Sequence, residues 1–224
     1  MSSRLRGFDS SVGEKIVIGA TGLALFLYLI IHITANLTVF GGAAFFNGSA
    51  DLLERIPILP VIEIGLLLIF LIHIYKTVTM FIGNQRARPV GYAKKKNAGR
   101  TSRKTFASST MIFTGSWLLL FLIVHVKAFR YGPQYEYEGM KDFYRLEMEN
   151  LSNPFMVAFY VLSMLVVGSH LWHGASSSLQ SLGVDHPQWT PRILIAGKVL
   201  AVAIAGGFIV IAIWAYLVAT QVLL

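Results

Sequence analysis

Apolar side chains dominate five long stretches of the chain, residues 16–40, 60–82, 106–129, 154–179 and 193–224, and polar and charged residues gather between them. Each stretch is apolar all round rather than on one face, the pattern of a helix surrounded by lipid or protein. At about 1.5 Å per residue, roughly 20 helical residues cross about 30 Å of hydrocarbon. The pattern therefore predicts an all-α integral membrane bundle of five transmembrane helices, spans I to V, forming one domain over residues 1–224. Arg4, Arg6 and Lys15 ahead of span I give it the look of a signal peptide. Its apolar core exceeds the usual signal-peptide length of about 7 to 15 residues, so it is read as a true span. Pro60 and Pro154 stand where a first helical turn tolerates proline and mark two helix starts.

Charge sets the expected orientation. The loop after span II carries Arg86, Arg88, Lys94, Lys95, Lys96, Arg100, Arg103 and Lys104 without an acidic residue, which places it in the cytoplasm. Alternation then puts the N-terminus inside and the C-terminus outside. The loop after span III, with Glu136, Glu138, Asp142, Glu147 and Glu149, contains little to hold it inside. The net charge of +8 is thus topogenic, and no soluble basic domain is present to bind nucleic acid. The chain has no cysteine, which excludes disulfides, thiolate-bound haem and iron–sulfur clusters and leaves histidine as the soft ligand.

Four of the five spans contain histidine: His32 in I, His73 in II, His125 in III, and His170 with His173 in IV. An ionisable residue in a span is costly and points to function. Counted from the expected helix starts, His32 and His125 sit about 16 and 19 residues from the inner face, roughly 24 to 28 Å up. His73 and His170 sit about 13 and 16 residues from the outer face, roughly 20 to 24 Å down. The four sort into two level pairs, His32 with His125 and His73 with His170. Two neutral imidazoles fill both axial positions of a haem iron, a ligation suited to electron transfer, so the pattern predicts two b-type haems. Spacing leaves His173, one turn from His170, open as an alternative ligand or as a hydrogen-bond donor to a haem propionate or a quinone. His186, before Pro187, reads as a solvated loop residue. Gly174 on the His170 face suits close approach of a porphyrin edge or of another helix. Gly22, Gly65, Gly115, Gly197, Gly206 and Gly207 read as helix-packing positions.

The ordered set Ala20-Thr21-Gly22-Leu23 before His32, Leu59-Pro60 and Glu63 before His73, and His125 ahead of Arg130-Tyr131-Gly132 carries a resemblance. It continues through Asp142-Phe143-Tyr144, Asn153-Pro154 and the run His170-Leu171-Trp172-His173-Gly174 to Ser177, Gln180, Leu182 and Gly183. Over nearly its whole length the chain resembles the single-chain, two-haem b558-type cytochrome b membrane anchors of succinate dehydrogenases and fumarate reductases. The resemblance places the fourth-helix ligand on His170, four residues ahead of Gly174. It implies electron passage between a membrane quinone, expected to be menaquinone, and an iron–sulfur subunit docked on the cytoplasmic face, which relays to a flavoprotein acting on succinate or fumarate. It also implies a multi-pass location in the bacterial cell membrane and a complex open to oligomerisation. The chain itself has no cluster cysteines and no nucleotide-binding loop, so the succinate site would belong to partners.

Quinone chemistry exchanges protons with electrons, and Glu63 near the outer end of span II is the candidate proton-exchanging group. The bland reading is a carboxylate favoured by a helix N-terminus, worth about 0.3 to 1 kcal/mol. Asn36, Arg130 and Tyr131 stand at a similar level as candidates to bind a quinone carbonyl or a haem propionate. An inner-face site near His173, Trp172, Tyr75 and Lys76 is the alternative. Two rival functions are the di-haem anchor of another quinone-linked dehydrogenase, such as a hydrogenase, and a proton-coupled transporter using a histidine relay.

Overall fold

A computed structural model describes residues 10–87, 106–184 and 186–222. The basic segment that sets the expected orientation, Arg88, Lys94, Lys95, Lys96, Arg100, Arg103 and Lys104, lies outside the described residues, as do Arg4 and Arg6. Among the described residues, five helices are long and apolar enough to cross a membrane. They are α1 (Ser11–Asn36, continued by a 3-10 turn Leu37–Gly41), α3 (Leu59–Ala87), α5 (Met111–Phe129), α7 (Pro154–Ser181) and α8 (Trp189–Val222). Between them lie α2 (Ala43–Glu54), a short α4 (Phe106–Ser109), the strands β1 (Glu136–Tyr137) and β2 (Met140–Lys141), and α6 (Phe143–Leu151). The molecule is an all-α membrane bundle with one two-residue hairpin.

The helix starts follow from capping. Asn153 accepts from the backbone N–H groups of Phe155 and Met156 and Pro154 takes the first helical position, so α7 begins where the sequence places span IV. Helix α1 starts earlier than expected, at Ser11, because Ser10 caps Gly13 N at 3.1 Å and Glu14 falls in the positively polarised first turn. Helix α8 starts at Trp189 rather than 193, since Pro191 is tolerated in the first turn and the Thr190 hydroxyl accepts from His186 N–H at 2.7 Å. Span III is broken at Thr110, which separates α4 from α5.

Hydrocarbon gives helices no hydrophobic reason to associate, so small residues that let backbones approach do the work. A Cβ on Gly168 would stand 3.1 Å from Ala205 Cβ, and one on Gly197 3.1 Å from Ala175 Cβ, which marks a close α7–α8 seam. That seam and α1 enclose the core, with Phe26, Ile33, Met164, Val167, Leu171, Ala201 and Ile204 buried together. Helices α3 and α5 contribute no fully buried residue and form the outer wall.

The segments after α1 and α5 meet on one side of the bundle and form a cap; the opposite side is here termed the base. Asn47 on α2 is wholly buried, donates to Asp142 Oδ1 at 2.8 Å and accepts from Tyr144 N–H at 2.9 Å. Asp142 in turn caps α6 by accepting from Arg145 N–H at 3.0 Å. Lys141 on β2 pairs with Glu54 on α2 at 2.7 Å. The β1–β2 turn places Glu138 (φ 49°) and Gly139 (φ 79°) both in the left-handed region, as a tight two-residue hairpin requires. Glu147 on α6 is 5% exposed, and burial pushes its carboxyl up to about 8.

Two outcomes follow from the cap. Asn47→Ala strands the Asp142 and Tyr144 partners and is expected to cost about 1 to 3 kcal/mol, read as a lower thermal midpoint of the purified protein. The Glu147 carboxyl holds its proton more tightly folded than unfolded, so its contribution to stability is full below about 4.5 and is lost as pH rises toward about 8. Glu147→Gln is expected to flatten that decline in melts recorded across this range; an unchanged slope would assign the decline to other groups.

Candidate functional site

The bundle sets the spans' five histidines at two levels. In the cap half, His32 on α1 and His125 on α5 face each other with ring centroids 6.0 Å apart and planes at 86°. Two imidazoles bound on opposite sides of one metal, with bonds of about 2 Å, have centroids about 6 Å apart. In the base half, His73 on α3 and His170 on α7 lie within electrostatic reach of each other.

Each of these four rings engages Nδ1 with a polar side chain. Thr21 Oγ1 lies 3.1 Å from His73 Nδ1, Thr114 Oγ1 3.0 Å from His170 Nδ1, and Tyr160 Oη 3.2 Å from His125 Nδ1. Asn36 Nδ2 lies 3.4 Å from His32 Nδ1, while its stronger bond is donated to the His32 carbonyl at 2.8 Å. Histidines that hold a metal through one nitrogen are regularly oriented through the other. Three of the four rings thus meet a hydroxyl at Nδ1, an arrangement compatible with a ligand nitrogen at Nε2, whereas the weak contact of His32 Nδ1 is with an amide donor. His173 differs, for no ring hydrogen bond is formed by it among the described residues.

Aromatic side chains wall the cap-side pair. Tyr28 stacks on His32 at 5.4 Å and Phe208 of α8 lies 5.5 Å away. Phe121 and Phe129 flank His125 at 5.6 and 5.1 Å. On the base side a Cβ at Gly22 would stand 3.2 Å from His73 Cε1 and 3.3 Å from Ser178 Oγ. Gly22 is thus a place where an imidazole lies against backbone, while a Cβ at Gly115 would make only ordinary contact with His170, at 3.7 Å. Gly174, by contrast, faces open space.

At the cap rim Glu63 pairs with Arg130 at 3.6 Å, both about half exposed. Glu63 is also close enough for its charge to act on Tyr28, the residue stacked on His32. Tyr131 is 79% exposed. An ion pair this exposed adds about 0 to 1 kcal/mol of stability, which leaves both groups available to a ligand at little cost. At the base, Lys198 lies over the Trp172 ring at 5.2 Å and Lys76 is 5.9 Å from the Tyr75 ring. His186 accepts from Gln188 N–H at 3.3 Å and belongs to the loop that leads into α8.

Sequence reasoning missed Tyr28, Thr21, Thr114 and Tyr160. Tyr28 had a signal, since it stands four residues before His32 on the same helix face, as Phe121 and Phe129 stand four either side of His125. Thr21 stood in the run Ala20-Thr21-Gly22-Leu23 without a role, and Thr114 and Tyr160 sit on helices different from those of their histidines, where no local pattern announces them.

No family profile and no solved structure matches the chain. A curated relative is the succinate dehydrogenase cytochrome b558 subunit of Bacillus subtilis (strain 168). It is 27% identical over 168 residues, which cover 75% of this chain and 77% of the relative. With the five apolar helices, this bacterial likeness makes the chain a multi-pass membrane protein distantly related to a cytochrome b subunit.

Proposed function

We propose that the chain is the cytochrome b membrane anchor of a succinate:quinone oxidoreductase, holding two haem b groups through His32 with His125 and His73 with His170. The observation that carries this reading is the 6.0 Å facing of His32 and His125 from separate helices, taken with the b558-type relative. A bound haem would supply a one-electron carrier at each level, and two levels divide the membrane into shorter transfer steps. The base faces the cytoplasm in this reading, following the basic segment between α3 and α4. There the iron–sulfur and flavoprotein subunits dock, since this chain has no cysteine to hold a cluster.

The chain's own residues perform three tasks. The histidines hold the iron, and the aromatic wall of Tyr28, Phe121, Phe129 and Phe208 keeps water from the cap-side pair. Glu63 holds and releases a proton at its carboxylate while a quinone, menaquinone in this reading, exchanges electrons at the cap rim. Arg130 anchors a quinone carbonyl or a haem propionate beside it, with Asn36 and Tyr131 at the same level. His173, whose ring has no hydrogen-bond partner among the described residues, would bond a propionate on the base side.

The test is a reduced-minus-oxidised optical spectrum with haem quantified per polypeptide. Two low-spin haems are expected; His32→Ala and His125→Ala should lose one of them, His73→Ala and His170→Ala the other, and His173→Ala neither. A colourless protein expressed with haem supplied would overturn the reading and favour a histidine proton relay. Glu63→Gln in the assembled complex should cut quinone turnover at least tenfold with both haem spectra intact, and full turnover would remove Glu63 from the proton path.

A further inference from the structure

The Thr21 hydroxyl carries a single proton and two acceptor lone pairs. It donates that proton to the Val17 carbonyl at 2.7 Å, with the Ile18 carbonyl at 3.2 Å. Its oxygen still lies 3.1 Å from Nδ1 of His73, and with its proton committed it can only accept there. Nδ1 of His73 must then carry the ring hydrogen, and in a neutral imidazole that leaves the lone pair on Nε2.

Ser163 provides the same division of labour where the direction is certain. It donates to the Phe159 carbonyl at 2.7 Å and accepts from Trp117 Nε1 at 3.0 Å, and an indole N–H only donates. The Thr114 bond to His170 is less decided, since its own donation to Met111 is 3.1 Å, no shorter than its 3.0 Å contact with the ring. Asn36 Nδ2 presents a donor to His32 and cannot accept. His73 therefore has an Nδ1 whose hydrogen is fixed by Thr21, with the Ile18 carbonyl also near the ring, whereas the Tyr160 hydroxyl beside His125 can donate or accept. The ring is also held laterally, because Gly22 leaves it room against the α1 backbone beside the buried Ser178.

We infer that Thr21 is a positioning residue for electron transfer: it accepts the His73 Nδ1 hydrogen, turns Nε2 to the iron, and sets the reduction potential of the base-side haem. The inference rests on the ligand reading above. Accepting that hydrogen makes the imidazole a stronger donor, which favours the oxidised iron. Removing the acceptor should raise the midpoint potential of that haem alone.

The experiment is a redox titration of the haem-loaded protein, following each haem separately, with Thr21→Val, which keeps the shape, and Thr21→Ser, which keeps the acceptor. Thr21→Val is expected to retain two haems and to shift the oxidised-to-reduced equilibrium of the haem that His73→Ala loses by about tenfold, or about 59 mV for one electron. Thr21→Ser should titrate as wild type. If Thr21→Val loses that haem, its retention in Thr21→Ser still supports the hydroxyl's role, whereas loss in both variants reduces the position to packing and overturns it. Two haems at wild-type potentials in Thr21→Val overturn the role of Thr21 while leaving the ligands in place. A wild-type protein without haem, or His73→Ala with both haems, overturns the ligand reading itself and this inference with it.

Discussion

Inside a bilayer no water is available to satisfy a donor or acceptor, and each polar group left alone costs several kcal/mol. The whole interior of this bundle is organised by that requirement. Most hydroxyls in the spans meet it within their own helix: Thr34, Thr77, Ser116 and Thr220 each donate to the carbonyl four residues back, at 2.7 to 2.9 Å. A histidine ring cannot reach its own carbonyl ladder in this way, so it must borrow a partner from a neighbouring helix or turn. The ties from α3 to α1, α5 to α7 and α7 to α5 made by His73, His125 and His170 are the result. They fix the relative rotation of helices whose apolar surfaces alone would slide past one another.

The same requirement explains how much could be read from the residues. The spans were legible because a membrane helix must be apolar all round, a signal that needs no tertiary context. Their ends were less so: Ser10 and Glu14 look like a polar leader, yet they serve as cap and first turn of α1. Trp189 to Arg192 looks like loop, yet it is the opening of α8. The cap helices α2 and α6 escaped notice because their partly polar composition resembles any exposed connection, and only the contact between them buries Asn47 and Glu147.

At the site, the histidines and their two levels were legible from position along each span, since helical rise converts residue count into depth. The meeting of His32 with His125 across helices, and of Glu63 with Arg130 at the rim, is geometry that the sequence could only suggest through level. His170 and His173 differ in a feature outside the local run, the Thr114 hydroxyl 56 residues away that meets only the His170 ring among the described residues. Thr114 and Tyr160 carry no motif because a single hydroxyl at hydrogen-bond distance is all that is needed, and hydroxyls occur in membrane helices for many other reasons.

The cap has a consequence for how the protein is made. Asn47 reaches Asp142 and Tyr144, partners 95 and 97 residues later in the chain, and those residues lie beyond two further crossings of the membrane. During synthesis the first connecting segment must therefore wait, its amide solvated, until α3 and α5 have inserted and the second segment has been delivered to the same side. Closure of the cap is then a late step of biogenesis that records the correct threading of three helices. A chain inserted with α3 left out would present Asn47 and Asp142 on opposite sides of the bilayer, where no rearrangement of side chains could bring them together.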